Sequence, residues 1–576
     1  MFIEKQYYKR QRIVLFILFI ALFLFIGYHQ FKEGIILWGD GFFHVQRILE
    51  IRYAFIHREL PNWLNFQTFF GMGQAINGMY PDISLYPLVL LTMFFSPSHQ
   101  LAAINILIFT LTLIVTAISL YRRMRVDGLL SIYAAILYSC SGYSLYETVR
   151  EFQPGVGIIF IFSFPIGFLI KDILTSERFN FKLAIRFTLL ITLIMYSHLL
   201  SMVVLGLIIF SGYIYLIIIR KFNWYSLVNL FVGGLISILT SLPILYRYFI
   251  ISSSNIMSPF GQGNIKASSF ANMINGVQWD ARETLSSLVL IIGVIIFTFW
   301  NSRQSNRLLK LGLIELYILL LCTNIFPWRL FNRFPFINNL QYTPWRFGIW
   351  LSVIPIIALI VCFQDNQTIK GKLLYILAII SIAMSYVIAN DTFKIVQTRL
   401  QTENIRVMTT VKSFYGSKEL NVLNWAEKPD YFPKVTNVVD SKENMTNSRL
   451  NEIHHQLIVV GNEKIGISKE SINNGVVIIP HKTVTSSDGK VQLPVLGYKS
   501  LKYNISSFNH NRLNYGIDKE GYLFIKTRKI QKNVPIEVRF TNPIIYKILV
   551  VFSLTALLCT LIVNFNEVKK KADCKK

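Results

Sequence analysis

The sequence predicts a mainly α-helical polytopic membrane protein of about twelve transmembrane helices, with a β-rich extracytoplasmic domain ahead of the last helix. Three observations predict it. The 576-residue chain is 53% hydrophobic and 15% charged, and its apolar residues gather in separate runs of roughly 16 to 22, the length that crosses a bilayer. Its basic residues give a formal charge of +26 and concentrate in short segments between those runs, as cytoplasmic loops do. The charge therefore reads as topology before it reads as nucleic-acid binding. Between the last two runs lies a polar, cysteine-free stretch of short β-branched and aromatic segments separated by Gly, Asn and Asp.

The basic "KRQR" precedes a first helix over 13–31, whose apolar run is too long and whose end lacks the small-residue site of a cleaved signal peptide. Further spans are expected at 101–120, 129–145, 155–171, 183–199, 202–219, 226–247, 285–300, 307–323, 348–364, 372–390 and 543–564. The apolar segment 83–95 decides the parity. Read as a short interfacial or re-entrant helix, it leaves "YRRMR", "RKFNWYS", "RQSNR" and the final "KKKADCKK" on the cytoplasmic side, with both termini inside the cell membrane. The membrane part is then 1–390, with outer loops 32–100, 248–284 and 324–347. Residues 391–542 form the extracytoplasmic domain, with strands expected in "HQLIVV", "GVVIIP", "VQLPVLGYKSLKYNI", "GYLFIKT" and "VPIEVRF", and 543–576 hold the last helix and a basic tail. None of the five cysteines pairs at metal-ligand spacing.

Chemistry concentrates in the first outer loop, "GDGFFHVQRILEIRYAFIHREL". Asp40, between two glycines, suits a helix N-cap, and a helix running on to Pro61 places Asp40, His44, Arg47, Ile51 and Arg58 on one stripe of a juxtamembrane amphipathic helix. Two readings stand: a cap with headgroup-facing basic residues, or a carboxylate, imidazole and guanidinium converging on a ligand. The following "RELPNWLNFQTFFGMGQAINGMYPDISLYP" is dense in Gly, Pro, amides and aromatics, side chains that stack on sugar rings and bond hydroxyls in a pocket. There Asp82 either caps the next helix or lines the cavity. His198, in "MYSHLLS", reads as an interfacial residue closing a tight hairpin.

The loop resembles that of the bacterial YfhO-type membrane proteins and of a related family labelled "6-pyruvoyl-tetrahydropterin synthase related", which is similar to GT-C glycosyltransferases. The shared order is met by Asp40, His44 and Arg47, then Leu60-Pro61-Asn62-Trp63, Gly71-Met72-Gly73 and Tyr80-Pro81. In "LQYTPWRF", Gln341, Pro344, Trp345 and Arg346 resemble a second signature at the outer start of a late helix. Where the family pattern has an Arg followed by a Glu, this chain has "YETVREFQP", with Glu147, Arg150 and Glu151 close together, which leaves open which acid is the second carboxylate.

The resemblance implies a GT-C-like glycosyltransferase moving a sugar from a polyprenyl-phosphate-linked donor to a cell-envelope polymer or glycolipid on the outer face, with Asp40 as the catalytic acid or base. His44, Arg47, Trp63, Asp82, Glu147, Arg150, Glu151, Gln341, Trp345 and Arg346 would then bind substrate, the arginines meeting phosphate through paired hydrogen bonds. A divalent cation between Asp40 and one of Glu147, Glu151 or Asp82 is compatible with such relatives and demanded by no spacing. A separate enzyme would make the lipid-linked sugar. The Asn, Ile and Lys bias fits an AT-rich Gram-positive bacterium, and so teichoic-acid-type acceptors. The alternatives are a transporter or flippase of a lipid-linked saccharide and a non-catalytic envelope-assembly scaffold. A flippase is disfavoured because the polar material lies on one face rather than at matched depths in the spans.

Overall fold

The structure, a computed structural model, describes residues 2–33, 35, 41–145, 152–256, 265, 267, 269, 306–331, 333–334, 337, 340, 343–364, 367–402, 431–433, 451–507 and 511–573. Its principal helices are α1 (Phe2–Glu33), α2 (Gly41–Ile56), α3 (Tyr86–Thr92), α4 (Pro97–Met124), α5 (Gly128–Ser139), α6 (Pro154–Leu174) and α7 (Phe181–Ser197). They continue with α8 (Leu199–Ile218), α9 (Trp224–Thr240), α10 (Leu242–Ser252), α11 (Asn306–Cys322), α12 (Thr343–Gln364), α13 (Gln367–Thr402) and α14 (Ile544–Asp573).

Among the described residues, five segments are long and apolar enough to cross a membrane: Ile13–Lys32, His99–Met124, Pro154–Leu174, Leu199–Ile218 and Ile544–Phe565. A sixth results if α9 and α10 count as one broken span. These helices are compatible with a membrane protein, and they are fewer than the apolar runs suggest. The segment 285–300 lies outside the described residues, and α5, with 12 residues, is shorter than the run that contains it. Local chemistry sets such ends. Arg125 takes a left-handed conformation (φ 54°) after α4, and the Asp127 carboxylate accepts the Leu129 and Leu130 amides at 2.6 and 3.0 Å to start α5. Asn180 and Asn223 cap α7 and α9 in the same way.

Two expectations change. The run 226–247 is not one helix but α9 and α10, bent by 70°. Pro243, in the first turn of α10, has no N–H to continue the ladder of α9. α2 stops at Ile56, and Arg58 is left-handed (φ 58°), so Arg58 leaves the stripe that runs on to Pro61 in the sequence reading. α2 is covered by the rest of the protein over much of its length, with residues 43–48, 50 and 51 all buried. α3 has seven residues, about 10 Å of helix, too short to span.

The C-terminal region ahead of α14 is β-rich. Ten strands run from β1 (Leu457–Val460), β2 (Glu463–Ile472) and β3 (Gly475–Pro480) through β4 (Val484–Thr485), β5 (Lys490–Leu496), β6 (Asn504–Ser507) and β7 (Tyr515–Ile517) to β8 (Tyr522–Lys526), β9 (Lys529–Ile530) and β10 (Ile536–Arg539). An eight-stranded sheet has the order β6-β10-β3-β2-β1-β5-β8-β7, and β4 pairs with β9. Alternation fixes the inner face, with Val476, Ile478, Leu493 and Val538 wholly covered. One hydrophobic core fills the helical part, centred on α5, α6, α11 and α12. A second joins the sheet to the segment Trp63–Met79, to Ile251 of α10 and to Tyr546 of α14. The third packs α2 against α3 and α4.

Candidate functional site

The tripeptide Tyr80-Pro81-Asp82 lies between two buried arginines. Tyr80 is extended (ψ 137°), as a residue before proline tends to be, and Pro81 itself offers only an acceptor. From α2, Arg47 donates through Nη2 to the Pro81 carbonyl and lies with Nη1 3.0 Å from His44 Nδ1. Its guanidinium carbon sits 4.3 Å from the centre of the Tyr80 ring, a cation–π contact. From α10, Arg247 donates to the Tyr80 carbonyl at 3.0 Å and pairs with Asp82 at 2.5 Å. Tyr86 of α3 donates to the second Asp82 oxygen at 2.9 Å. The His44 ring packs on Tyr80 at 5.5 Å, and His198, between α7 and α8, stands 6.0 Å beyond it.

Burial and charge together define the site. Arg47 is 0% exposed, and Arg247 and Asp82 are 1% and 0%. Burial pulls Arg47 down to about 10, partly offset by Tyr80 and Asp82, so it remains a cation at neutral pH. Among the described residues the cluster thus holds two guanidinium groups and one carboxylate, which pairs with Arg247, and the Nε of each arginine meets no acceptor there. Buried polar groups are nearly always satisfied, and an unmatched buried cation is costly. The chemistry such a pair lacks is an anion. Tyr80 is only half-buried, whereas the charged groups beside it are covered.

His44, Arg47 and Asp82 therefore come together. Asp82 stands before a short 3-10 turn at Ile83–Leu85, but its side chain makes no capping bond there, because both oxygens are taken by Arg247 and Tyr86. Arg346, at the start of α12, donates from Nε to the Leu340 carbonyl at 3.1 Å. Asp40, Glu147, Arg150, Glu151 and Gln341 lie outside the described residues, as does the side chain of Trp345.

Trp63, expected among the substrate-binding residues, is a packed residue in this structure. It is 0% exposed, its ring enclosed by Tyr546 at 5.1 Å, Phe540 at 5.9 Å and Tyr246 at 6.1 Å, so neither face is open to a saccharide. The amides beside it also turn inward. Asn62 donates to Asn474 and to the Phe540 carbonyl at 3.0 and 2.8 Å, and Gln67 donates to the Ile472 carbonyl at 3.0 Å. Gly71 (φ 62°) brings the loop so close to β3 that a Cβ there would lie 2.6 Å from Val476. The aromatic, amide-rich loop clasps the sheet.

Sequence reasoning passed over two charged residues. The expected span 226–247 takes in Arg247 as its last residue, although a lone arginine at such an edge is itself a signal. Glu50, one turn beyond Arg47 on α2, accepts the Gln67 amide at 2.6 Å and the Thr68 hydroxyl at 3.3 Å, and burial pushes its carboxyl up to about 8. Among the described residues no three His, Cys, Asp or Glu side chains gather as a metal site. No family model matches the chain, and no curated protein matches it.

Proposed function

We propose that the chain is a GT-C-like glycosyltransferase of the cell membrane, with twelve spans and both termini cytoplasmic, that moves a sugar from a polyprenyl-phosphate-linked donor to an envelope glycopolymer such as a teichoic acid. The observation that carries this reading is the excess of buried positive charge at Arg47 and Arg247, with their unmatched Nε groups, where the helical part meets the loop that clasps the sheet. Guanidinium groups in a low-dielectric setting favour a phosphate leaving group as its charge develops. The resemblance of the first loop to YfhO-type proteins supplies the donor class, and Asp40, four residues before His44 in the sequence, is the base candidate for the acceptor hydroxyl.

The test is envelope-polymer glycosylation in a deletion strain complemented with wild type, Asp40→Asn, Arg47→Gln or Arg346→Ala, with membrane levels of each variant measured. The transferase reading expects the modification to require the gene and to fall at least tenfold in Asp40→Asn and Arg47→Gln at unchanged abundance. Full modification with both variants would turn the reading toward a flippase or a scaffold.

A further inference from the structure

The packing face of α11 is formed by Leu308, Gly312, Glu315, Leu319 and Cys322, all buried and spaced four and three residues apart, the pattern by which a helix seats one side on its neighbours. At the centre of that face, where an apolar residue is expected, stands Glu315. It is 0% exposed, and neither carboxyl oxygen has a hydrogen-bond partner.

Among the described residues, the groups around it do not supply a charge. α11 packs along α12, whose ionisable side chains are Arg346 and Cys362. Arg346 belongs to the end of α12 where Thr343 donates to the Cys322 carbonyl, seven residues from Glu315 or about 10 Å along the helix. α8 meets α11 through Ser211 and Tyr317, 2.8 Å apart, and adds Tyr213 and Tyr215 but no charged side chain. On α11 itself Arg307 and Lys310 are exposed and so face away from the buried stripe. An ionised carboxylate without a partner in such a place costs several kcal/mol, so the neutral acid is the stable form. A neutral acid with no bond to make is a poor packing residue, and ionisable groups held within membrane helices are by default functional.

We propose that Glu315 is a proton-binding site of the helical part, a carboxyl kept neutral on the α11 packing face that exchanges its proton with water when α11 and α12 part. In the exchange the carboxyl O–H bond breaks, the proton passes to a water molecule, and the carboxylate is reprotonated before the helices close. The inference goes beyond the transferase reading and stands whether or not that reading holds.

Infrared spectroscopy of the purified full-length chain in lipid nanodiscs tests it through the C=O stretch of protonated carboxyl groups. A band from Glu315 is expected in wild type, lost in Glu315→Gln, and moved to lower frequency when light water is replaced by heavy water. The Glu315→Asp variant, which keeps an acid at the site, should displace the band rather than remove it, and it covers the case in which the Gln variant does not fold. Absence of any band assignable to Glu315 would mean an ionised group, and a band unmoved by heavy water would mean a sealed acid. Either result overturns the proposal.

Discussion

Asp82 and Arg247 form the ion pair on which the site depends, and both are almost wholly buried. Removing one partner of such a pair leaves the other charge buried and unmatched, at a cost of about 3–5 kcal/mol. Asp82→Asn should therefore lower the thermal midpoint of the purified protein sharply, and the double variant Asp82→Leu with Arg247→Met should recover much of the loss. A double variant no more stable than Asp82→Asn would mean that the pair is not the source of the effect. Glu50 gives the pH prediction. Its carboxyl is raised from 4.5 to about 8 by burial, so between those values the folded chain holds a proton that the unfolded chain has released, and stability falls as pH rises through that window. Glu50→Gln should flatten that fall. An unchanged slope in a pH series of unfolding curves would show that Glu50 does not carry it.

At the scale of elements, the connection between the first loop and the sheet is held by partners far apart in the chain. Asn62 and Asn474 bond across 412 residues, and Glu59 accepts the side-chain amides of both Asn473 and Asn474. Trp63→Ala should cost about 3–5 kcal/mol, as large-to-small changes of buried aromatics do, and should expose the region 451–542 to limited proteolysis before the helices melt. Equal protease resistance in wild type and variant would show that Trp63 does not couple the two parts. This clasp is one of two uses that the composition of the loop allows. A run of aromatics, amides and glycines has the same composition whether it lines a sugar pocket or packs on another element, and only the partner strand decides. The strands themselves were legible, since β3 covers the "GVVIIP" run residue for residue, because alternation of β-branched residues between turn residues is a local signal. His44 and Arg47 were legible for the same reason, as a spacing of three on a helix is local. Arg247 was not, because a hydropathy window absorbs one arginine and does not register the bend that Pro243 introduces.

For the whole molecule, the central claim is that a lipid phosphate is met by the buried arginines beneath Tyr80, where the helices join the loop that holds the sheet. Arg47 and Arg247 belong to different helices, α2 and α10, and converge on consecutive residues of one extended segment. The site therefore exists only when the first loop and the bent α9–α10 pair are assembled together. The most direct test is binding of polyprenyl phosphate to the purified full-length chain, in wild type, Arg47→Lys, Arg47→Gln and the exposed-site control Arg58→Gln, with folding of each variant checked by its thermal midpoint. Lys keeps the charge and loses the paired donors. The predicted result is binding lost by at least tenfold in Arg47→Gln, about 1.4 kcal/mol or more, with Arg47→Lys between it and wild type and Arg58→Gln unchanged. Equal binding by wild type and a folded Arg47→Gln would contradict the claim.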